Sequence, residues 1–297
     1  NSPQIQVGYK PSKNFKKVTH RVPMLSLANA FHEKDLINFE KKIYNFLDKK
    51  NNFQIEYSVE PKIDGISASL NYKNGKFISG LSRGDGKEGE DITANLKTIS
   101  DIPKSISDKN FPNDIDIRGE VFIQNSDFKK LSGKFANPRN AASGSLRQKD
   151  PNDTKKIPLK FIPYTFGFAK GLNVNLQSEY LTKLKEWGFK TNPFNKIITG
   201  VNNLMVNYNR LEKKRNELDF DIDGIVYKIN NIETQKRLGN VSNAPRWAIA
   251  HKFSANSGIS KIIDIEIQIG RTGALTPVAK IKPINIGGVI VSNATLH

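Results

Sequence analysis

The dipeptide Asn74-Gly75 restricts the fold of this chain more than any other feature. It lies between two strand-like runs, 66–72 and 76–83, that are rich in apolar residues. An Asn-Gly pair accepts the positive φ angles of a type I′ turn, which joins two adjacent antiparallel strands. The sequence therefore predicts a hairpin here and an antiparallel sheet around it.

Helices and strands are both predicted before residue 253, which makes the fold class α+β. The helices are predicted over 32–50, 90–99, 176–188 and 202–218, with a further short one that is capped by Ser126 or Asn125 and stops near Gly133. The other strands are predicted over 53–59, 114–123, 157–169, 221–229 and 246–253, after a polar, extended segment over 1–25.

The character of the sequence changes after Phe253. Residues 254–261 have the composition of a linker, and the rest of the chain consists of strand-like runs with glycine turns. Two or three strands cannot close a small barrel. We therefore expect one domain over 1–255, and over 256–297 a linker with the start of a second, all-β domain that is incomplete in this chain.

The charge favours a polyanionic partner. The chain of 297 residues has 46 basic and 29 acidic residues, a formal net charge of +17. Such a surplus favours nucleic acid, although abundant lysine could also be solvated filler. With no cysteine, disulfides and thiolate zinc sites are excluded. The first residues have no apolar signal region and no run approaches a membrane span, so we expect a soluble, intracellular protein.

Lys62 is the first candidate for chemistry. In a strand, Glu60, Lys62 and Asp64 point to one face. Such a row could be a solvent-facing ladder of ion pairs, which contributes little energy. It could also position a nucleophilic lysine, which attacks only as a neutral amine. The sequence leaves open whether nearby cations outweigh the two acids or whether the acids are engaged elsewhere.

Other charged residues could converge on Lys62. Lys228 follows a run of acids that ends at Asp223, and Lys252 shares a strand face with two alanines, which leaves room for a flat ligand. Each lysine could equally be a charged residue of an edge strand. Glu120 shares a face with Arg118 and could pair with it or hold a sugar hydroxyl.

Two further motifs could bind phosphate. Gly84, Gly86 and Gly89 match the dinucleotide-binding pattern, but neighbouring acids would repel a pyrophosphate and no βαβ series follows. Arg139 and Arg147 lie among small residues, where guanidinium groups could bind phosphates or fasten a loop.

Taken together, these motifs resemble a known family. Lys62-Ile63-Asp64-Gly65 is similar to the nucleotidyltransferase signature shared by DNA ligases, RNA ligases and capping enzymes. The whole chain looks like the bacterial NAD-dependent DNA ligases through the ordered segments MLSLANAF, EPKIDG, RGDGKEGEDITANLKTI, RGEVFI, FANPRNAASGSLRQ, FDIDGIVYKI, APRWAIAHKF and IGRTGALTPVA. This resemblance implies a nucleotidyltransferase (ATP-grasp-like) domain, with antiparallel sheets around a nucleotide cleft, followed by the first strands of an OB fold.

The resemblance also implies a role for each candidate residue. Lys62 would attack NAD and hold AMP, Asp64 would orient the lysine or accept from it, and Lys252 would stabilise phosphate charge. At the nucleotide, the adenine end would be contacted by Ser26, Leu27, Glu60 and Lys228, and the ribose by Arg83 and Glu120. The DNA backbone or its 5′ phosphate would be contacted by Arg139 and Arg147, and Mg²⁺ would be bound by Asp223.

The implied partners are NAD or AMP and nicked double-stranded DNA, in replication and repair, for a monomer in the bacterial cytoplasm with no membrane contact. The family also has a nicotinamide-mononucleotide-binding module, a zinc finger, a helix-hairpin-helix region and a BRCT domain, so zinc is expected only outside this chain. We therefore expect the chain alone to adenylate itself weakly and to seal nicks weakly or not at all. The alternatives are an ATP-dependent DNA or RNA ligase and a non-catalytic nucleic-acid-binding module.

Overall fold

The computed structural model describes residues 15–48, 54–131, 133, 135–241, 244–254, 258–269, 275–286 and 289–296. The chain divides into two compact units, Asn1–Phe253 and Ser254–His297. The first part of the predicted extended segment, 1–14, and the glycine turn at 270–274 lie outside the described residues.

The first unit contains helices and strands in mixed order. Its strands are β1 Lys17–Thr19, β2 Ala28–Ala30, β3 Glu56–Ile63, β4 Ile66–Lys73, β5 Lys76–Ser82, β6 Glu88–Glu90, β7 Asp114–Ile123, β8 Leu159–Lys170, β9 Lys196–Thr199, β10 Ile222–Ile229, β11 Asn240–Val241, β12 Ala244–Pro245 and β13 Ala248–Lys252. Its helices are α1 Glu33–Leu47, α2 Thr93–Leu96, α3 Asn125–Phe128, α4 Pro138–Ser145, α5 Pro151–Lys155, α6 Gln177–Glu186, α7 Val201–Lys214 and α8 Ile232–Leu238.

A four-stranded sheet with the order β5-β4-β7-β8 is antiparallel throughout. The hairpin predicted at its edge is confirmed, because Asn74 has φ 47° and Gly75 has φ 73° between β4 and β5. Gly75 is also required for space, since a Cβ there would lie 2.1 Å from the Ile106 carbonyl oxygen.

A five-stranded sheet with the order β2-β13-β10-β3-β9 forms the other half of the unit. Its pairs are antiparallel except for β2 with β13, which is parallel. The three central strands β13, β10 and β3 carry Lys252, Lys228 and Lys62 respectively, so this sheet positions all three predicted lysines.

Each sheet packs one face into its own hydrophobic core. Leu70 and Ile117 of the four-stranded sheet pack with Tyr180 of α6, and Trp187 lies in the same core. Tyr57 and Tyr227 of the five-stranded sheet belong to a second core that includes residues of α1 and α7, with Trp247 packed against it. We call the opposite face of the five-stranded sheet its cleft face.

The short helix after β7 differs from its prediction. It begins at Asn125 and lasts four residues before a 3₁₀ turn, and neither Asn125 nor Ser126 caps it, because the residue in the cap position is Gln124. The reason is tertiary: Ser126 Oγ donates to Asp219, and Asn125 donates to Asp221. The predicted cap was therefore wrong.

The second unit is a three-stranded antiparallel sheet in the order β14-β15-β16. The strands are β14 Ile262–Ile269, β15 Leu275–Ile286 and β16 Val289–Thr295. The prediction that this region is made of strands is confirmed. Isoleucines along β14 are exposed, and Ala279 of β15 is buried.

Candidate active site

Lys62 lies on the cleft face of β3. Tyr57, Val59 and Ile63 of this strand enter the core, so strand alternation turns Lys62 the opposite way. Gly224 of β10 is the cross-strand partner of Lys62 on one side and of Lys252 on the other. No side chain therefore separates the two lysines.

Asp223 reaches both lysines because of a β-bulge. Ile222 pairs with Ile63 and Gly224 pairs with Lys62, so Asp223 is an extra residue in β10. Its carboxylate oxygens lie 3.2 Å from Lys62 Nζ and 2.5 Å from Lys252 Nζ. One carboxylate thus bridges two ammonium groups at the centre of the cleft face.

Glu60 and Lys228 form a second, buried ion pair. Lys228 Nζ lies 2.7 Å from Glu60 Oε2, and both side chains are 6% exposed. Burial lowers the pKa of Lys228, while the charge of Glu60 opposes that shift. Such a pair is strongly destabilised if one partner is removed, because the other is left as an uncompensated buried charge.

Asp64 is engaged by an arginine. Arg139 Nη1 lies 2.5 Å from Asp64 Oδ1. The question that the sequence left open is thereby answered for this state of the protein: Glu60 pairs with Lys228 and Asp64 with Arg139, and the carboxylate against Lys62 is that of Asp223.

Glu120 of β7 approaches the cleft face from the four-stranded sheet. Ser67 Oγ donates to it at 2.8 Å. Burial raises the pKa of Glu120 to about 7, although the charge of Lys62 acts in the opposite direction. Gly65 permits this approach, because a Cβ there would lie 2.9 Å from Glu120 Cγ and 2.3 Å from the Val121 carbonyl oxygen.

Arg83 fastens the segment that precedes β2. Its guanidinium donates to the Met24 carbonyl at 3.2 Å and to Ser26 Oγ at 2.8 Å. Leu27 follows, partly buried, immediately before the pairing of β2 with β13. The structure thus brings Ser26 and Leu27 to the edge next to the strand that carries Lys252.

Arg118 does not make the pairing with Glu120 that the sequence allowed. It is buried and donates to the Val22 and Pro23 carbonyl oxygens. It therefore holds the segment that leads to Ser26, and Glu120 remains available on the cleft side.

Arg147 and Arg139 contact different residues. Arg147 Nε lies 3.0 Å from Glu90, whose side chain is buried, and Nη1 lies 3.4 Å from Ser143 Oγ. This matches the loop-fastening alternative, while its contact with DNA or phosphate stays a prediction.

Three features of the site were missed in the sequence. Tyr164 and Gln177 contact the Glu60–Lys228 pair, but they lie far from it in the chain and belong to no charged motif. The bulge at Asp223 was missed because it exists only in the pairing with β3. The third is the stacking of His251, the residue before Lys252 in β13, on Tyr208, with ring centroids 4.0 Å apart.

The residues around Asp223 fit a magnesium ion only in part. Among the described residues there is no group of three or more acidic, histidine or cysteine side chains that could hold a metal. Mg²⁺ needs few protein ligands, because it keeps waters and binds substrate phosphates. Asp223 Oδ1 is buried and, among the described residues, accepts no hydrogen bond, although it lies 3.2 Å from Lys62 Nζ. A metal ion bound there would have to share this oxygen with Lys62.

No helix in the described part of the chain is long and apolar enough to cross a membrane.

Two family models match the chain. The NAD-dependent DNA ligase adenylation domain matches residues 12–256, and the NAD-dependent DNA ligase OB-fold domain matches residues 259–297.

Two similar proteins are named DNA ligase. A DNA ligase of Pelagibacter ubique (strain HTCC1062) is 71% identical over 100% of the chain, which spans 44% of that protein. A DNA ligase of Parvibaculum lavamentivorans is 48% identical over 100% of the chain and 43% of that protein. A solved putative ATP-dependent DNA ligase from Aquifex aeolicus covers 76% of the chain and 48% of its own, with 14% identity and a TM-score of 0.41, a likeness too weak to support an inference.

Proposed function

This chain belongs to the family of NAD-dependent DNA ligases, and we propose that it uses Lys62 to take AMP from NAD as the first step in sealing nicked DNA. The predicted family and the predicted α+β adenylation fold followed by OB-fold strands are confirmed by the family matches. The chain spans less than half the length of the relatives it matches, so the chemistry of the whole protein is part of the proposal.

The proposed first step is nucleophilic attack by Lys62 Nζ on the α-phosphorus of NAD. The neutral amine forms an N–P bond, the P–O bond to nicotinamide mononucleotide breaks, and that mononucleotide leaves with its phosphate. Lys62 then carries AMP, which it passes to the 5′ phosphate of a nick. The adjoining 3′ hydroxyl finally displaces AMP and closes the strand.

Asp223 and Lys252 supply the electrostatics of this step. Lys62 must lose a proton before it attacks, and Asp223, 3.2 Å from Lys62 Nζ, is placed to accept or pass on that proton. Lys252 is placed to turn from Asp223 towards the phosphate oxygens as negative charge develops there. Asp64, held by Arg139, fixes the turn that follows Lys62.

The nucleotide would lie along the cleft face with its base at the Glu60–Lys228 pair and beside Ser26 and Leu27. Arg83 and Glu120 would then flank the ribose, since both lie on the side of the four-stranded sheet. Mg²⁺, when bound through Asp223, would neutralise phosphate charge.

Nicked duplex DNA would be held by the basic surface. The net charge of +17 favours this partner. Arg139, whose side chain is 49% exposed beside Asp64, is the better placed of the two predicted phosphate contacts, and Arg147 is the second. The proposed protein acts as a monomer in the bacterial cytoplasm.

The single observation that supports this function most is the bridge from Asp223 to Lys62 and Lys252. Two cations against one carboxylate leave a net positive charge where a phosphate is to bind. The side chains of Lys62, Lys252 and Asp223 are only 27 to 29% exposed, which is less than a solvent-facing ladder of ion pairs would show.

Intact-mass analysis after incubation with NAD and Mg²⁺ tests the proposal. The protein is this chain, and also a chimera in which it replaces the corresponding 44% of the relative that is 71% identical. We expect an AMP adduct on Lys62 in the chimera and weak labelling of the chain alone. Lys62→Arg should abolish the adduct because the guanidinium does not attack, whereas Lys73→Arg, at the exposed end of β4, should not.

Three results would contradict the proposal. One is a chimera that stays unmodified with NAD. Another is an adduct that forms with ATP but not with NAD. The third is an adduct that persists in Lys62→Arg, which would place the nucleophile elsewhere.

A further inference from the structure

Gln177, the first residue of α6, joins the two sheets at the buried end of the site. Its side-chain nitrogen donates to Glu60 Oε1 at 3.1 Å and to the Tyr164 carbonyl oxygen at 2.8 Å. Glu60 lies in the five-stranded sheet and Tyr164 in the four-stranded sheet. Lys228 contacts the same two groups, each at 2.7 Å.

The position of Gln177 is fixed by its surroundings. The residue is 1% exposed. Its backbone N–H donates to the Asn230 carbonyl oxygen at 2.7 Å, and the next N–H, that of Ser178, donates to Asn230 Oδ1 at 2.9 Å. The start of α6 is therefore anchored to the end of β10, and the amide group can turn only one way, because both neighbours of its nitrogen are acceptors.

The hydrogen bonds of the Glu60–Lys228 pair with described residues leave one acceptor position and one N–H donor unused. A carboxylate accepts at about four positions and an ammonium group donates three. Among the described residues, Glu60 accepts from Ser58, Gln177 and Lys228, and Lys228 donates to Glu60 and to the Tyr164 carbonyl. Gln177 and Ser58 occupy Oε1, so the open acceptor position belongs to Oε2, adjacent to the remaining N–H of Lys228.

An acceptor beside a donor matches one edge of a purine. Adenine presents a 6-amino donor next to the N1 acceptor, whereas hypoxanthine presents a carbonyl acceptor next to an N1–H donor. The Glu60–Lys228 pair complements adenine and opposes hypoxanthine, provided that the carboxylate keeps its orientation.

We propose that Gln177 is a positioning residue that gives the site its preference for a 6-aminopurine nucleotide, by holding the Glu60 carboxylate so that one acceptor faces the base beside Lys228. The inference rests on the proposed function, which brings the base of the nucleotide to this pair. A base with the opposite hydrogen-bonding edge would leave buried polar groups unpaired, and that is how such sites discriminate strongly.

The test compares binding of AMP and of inosine 5′-monophosphate by equilibrium titration, on protein that intact mass shows to be free of AMP. We expect the unchanged chain to prefer AMP. Gln177→Glu should lower the preference about tenfold or more, because an acceptor replaces the donor against Glu60. Gln177→Met should act in the same direction without added charge, so that the test remains if the first variant folds poorly.

A matched control separates positioning from stability. Gln235 of α8 is also buried and donates to a backbone carbonyl, that of Ile229, on the core side of β10. Gln235→Glu should lower the unfolding temperature but leave the ratio of the two affinities unchanged. Glu60→Gln serves as the reference in which the preference is lost.

The outcomes distinguish this inference from the function on which it rests. If the unchanged chain prefers AMP, Glu60→Gln removes the preference and both folded Gln177 variants retain it, the role of Gln177 is overturned and the proposed function stands. If the unchanged chain does not bind AMP, or if Glu60→Gln leaves the preference intact, the assignment of the base end fails, and the inference fails with it.

Discussion

At Asp223 the strand β10 has one residue more than its partner β3, and that residue sets the charge balance around Lys62. The sequence identified Lys62 and the acids near it, because strand alternation and residue type are local properties. It could not identify which acid contacts the lysine, since Asp223 lies 161 positions from Lys62 and meets it only through the bulge in the pairing of β10 with β3. Glu60 and Asp64, each two residues from Lys62 in the sequence, pair with Lys228 and Arg139 instead.

We predict that Asp223→Asn slows formation of the AMP adduct at least about 100-fold in the chimera. The amide keeps the shape of the side chain but cannot accept a proton or orient two ammonium groups. The measurement is the rate of adduct formation by intact mass. Asp221→Asn, two residues away and bonded to Asn125, is the matched control and should retain the rate. An unchanged rate in Asp223→Asn would show that neither the charge nor the basicity of this carboxylate is needed for adduct formation.

A second prediction at this scale concerns pH and Glu120. Burial raises its pKa from 4.5 to about 7 in the folded protein, so the folded state binds this proton more tightly than the unfolded chain. The resulting stability is complete below the ordinary pKa and is lost as the pH rises through about 7. Relative to Glu120→Gln, which stays neutral, the unchanged protein should lose about 1 to 3 kcal/mol of unfolding free energy across this window.

Denaturant unfolding at about pH 5 and about pH 8 measures this difference. Glu186→Gln, on the exposed end of α6, should show no comparable change between the two pH values. A difference between Glu120→Gln and the unchanged protein that is constant with pH would show that Glu120 titrates normally.

At the scale of elements, the contacts that hold the segment from His20 to Met24 in the fold could not be predicted from any single motif. The sequence predicted it to be polar and extended, without a place in the fold. In the structure Arg118 of β7 holds it through two carbonyl oxygens, and Gly167 of β8 makes room for that guanidinium. Hairpins and amphipathic helices were predictable because their signals are local, whereas this contact joins residues about a hundred positions apart.

We predict that Gly167→Ala reduces the free energy of unfolding by about 1 to 3 kcal/mol. The new Cβ would lie 2.6 Å from one guanidinium nitrogen of Arg118, and the buried guanidinium cannot move without leaving its two carbonyl partners. Faster amide exchange at Met24, whose N–H donates to the Gly86 carbonyl, should accompany this loss.

The control for Gly167→Ala is the same substitution in an Arg118→Met background. If the guanidinium is the cause, the cost of the alanine should be much smaller there. An equal cost in both backgrounds would assign the effect to the strand itself.

For the whole molecule, the sequence predicted the fold class and most of the strands, but not how the strands divide between two sheets. β3 and β4 are consecutive and separated by only Asp64 and Gly65, yet they belong to different sheets. That division places Lys62 on one sheet and Glu120 on the other. It depends on which strands share a core, and composition carries no signal for it.

The overall charge leads to a prediction about DNA. Because phosphate contacts release counterions, the affinity for nicked duplex should fall steeply as salt rises. Arg139→Ala should reduce the slope of log affinity against log salt by about 1. Lys183→Ala, in an ion pair with Glu186 on α6, should leave that slope unchanged. Equal slopes for Arg139→Ala and the unchanged protein would exclude a phosphate contact by Arg139.

The two tryptophans of the chain are divided between the two cores, Trp187 in one and Trp247 against the other. Each half of the adenylation unit therefore has an intrinsic fluorophore of its own. Replacing either indole by phenylalanine leaves emission that reports on a single half, so denaturant titrations of the two single-tryptophan proteins can reveal whether the halves melt together or in succession.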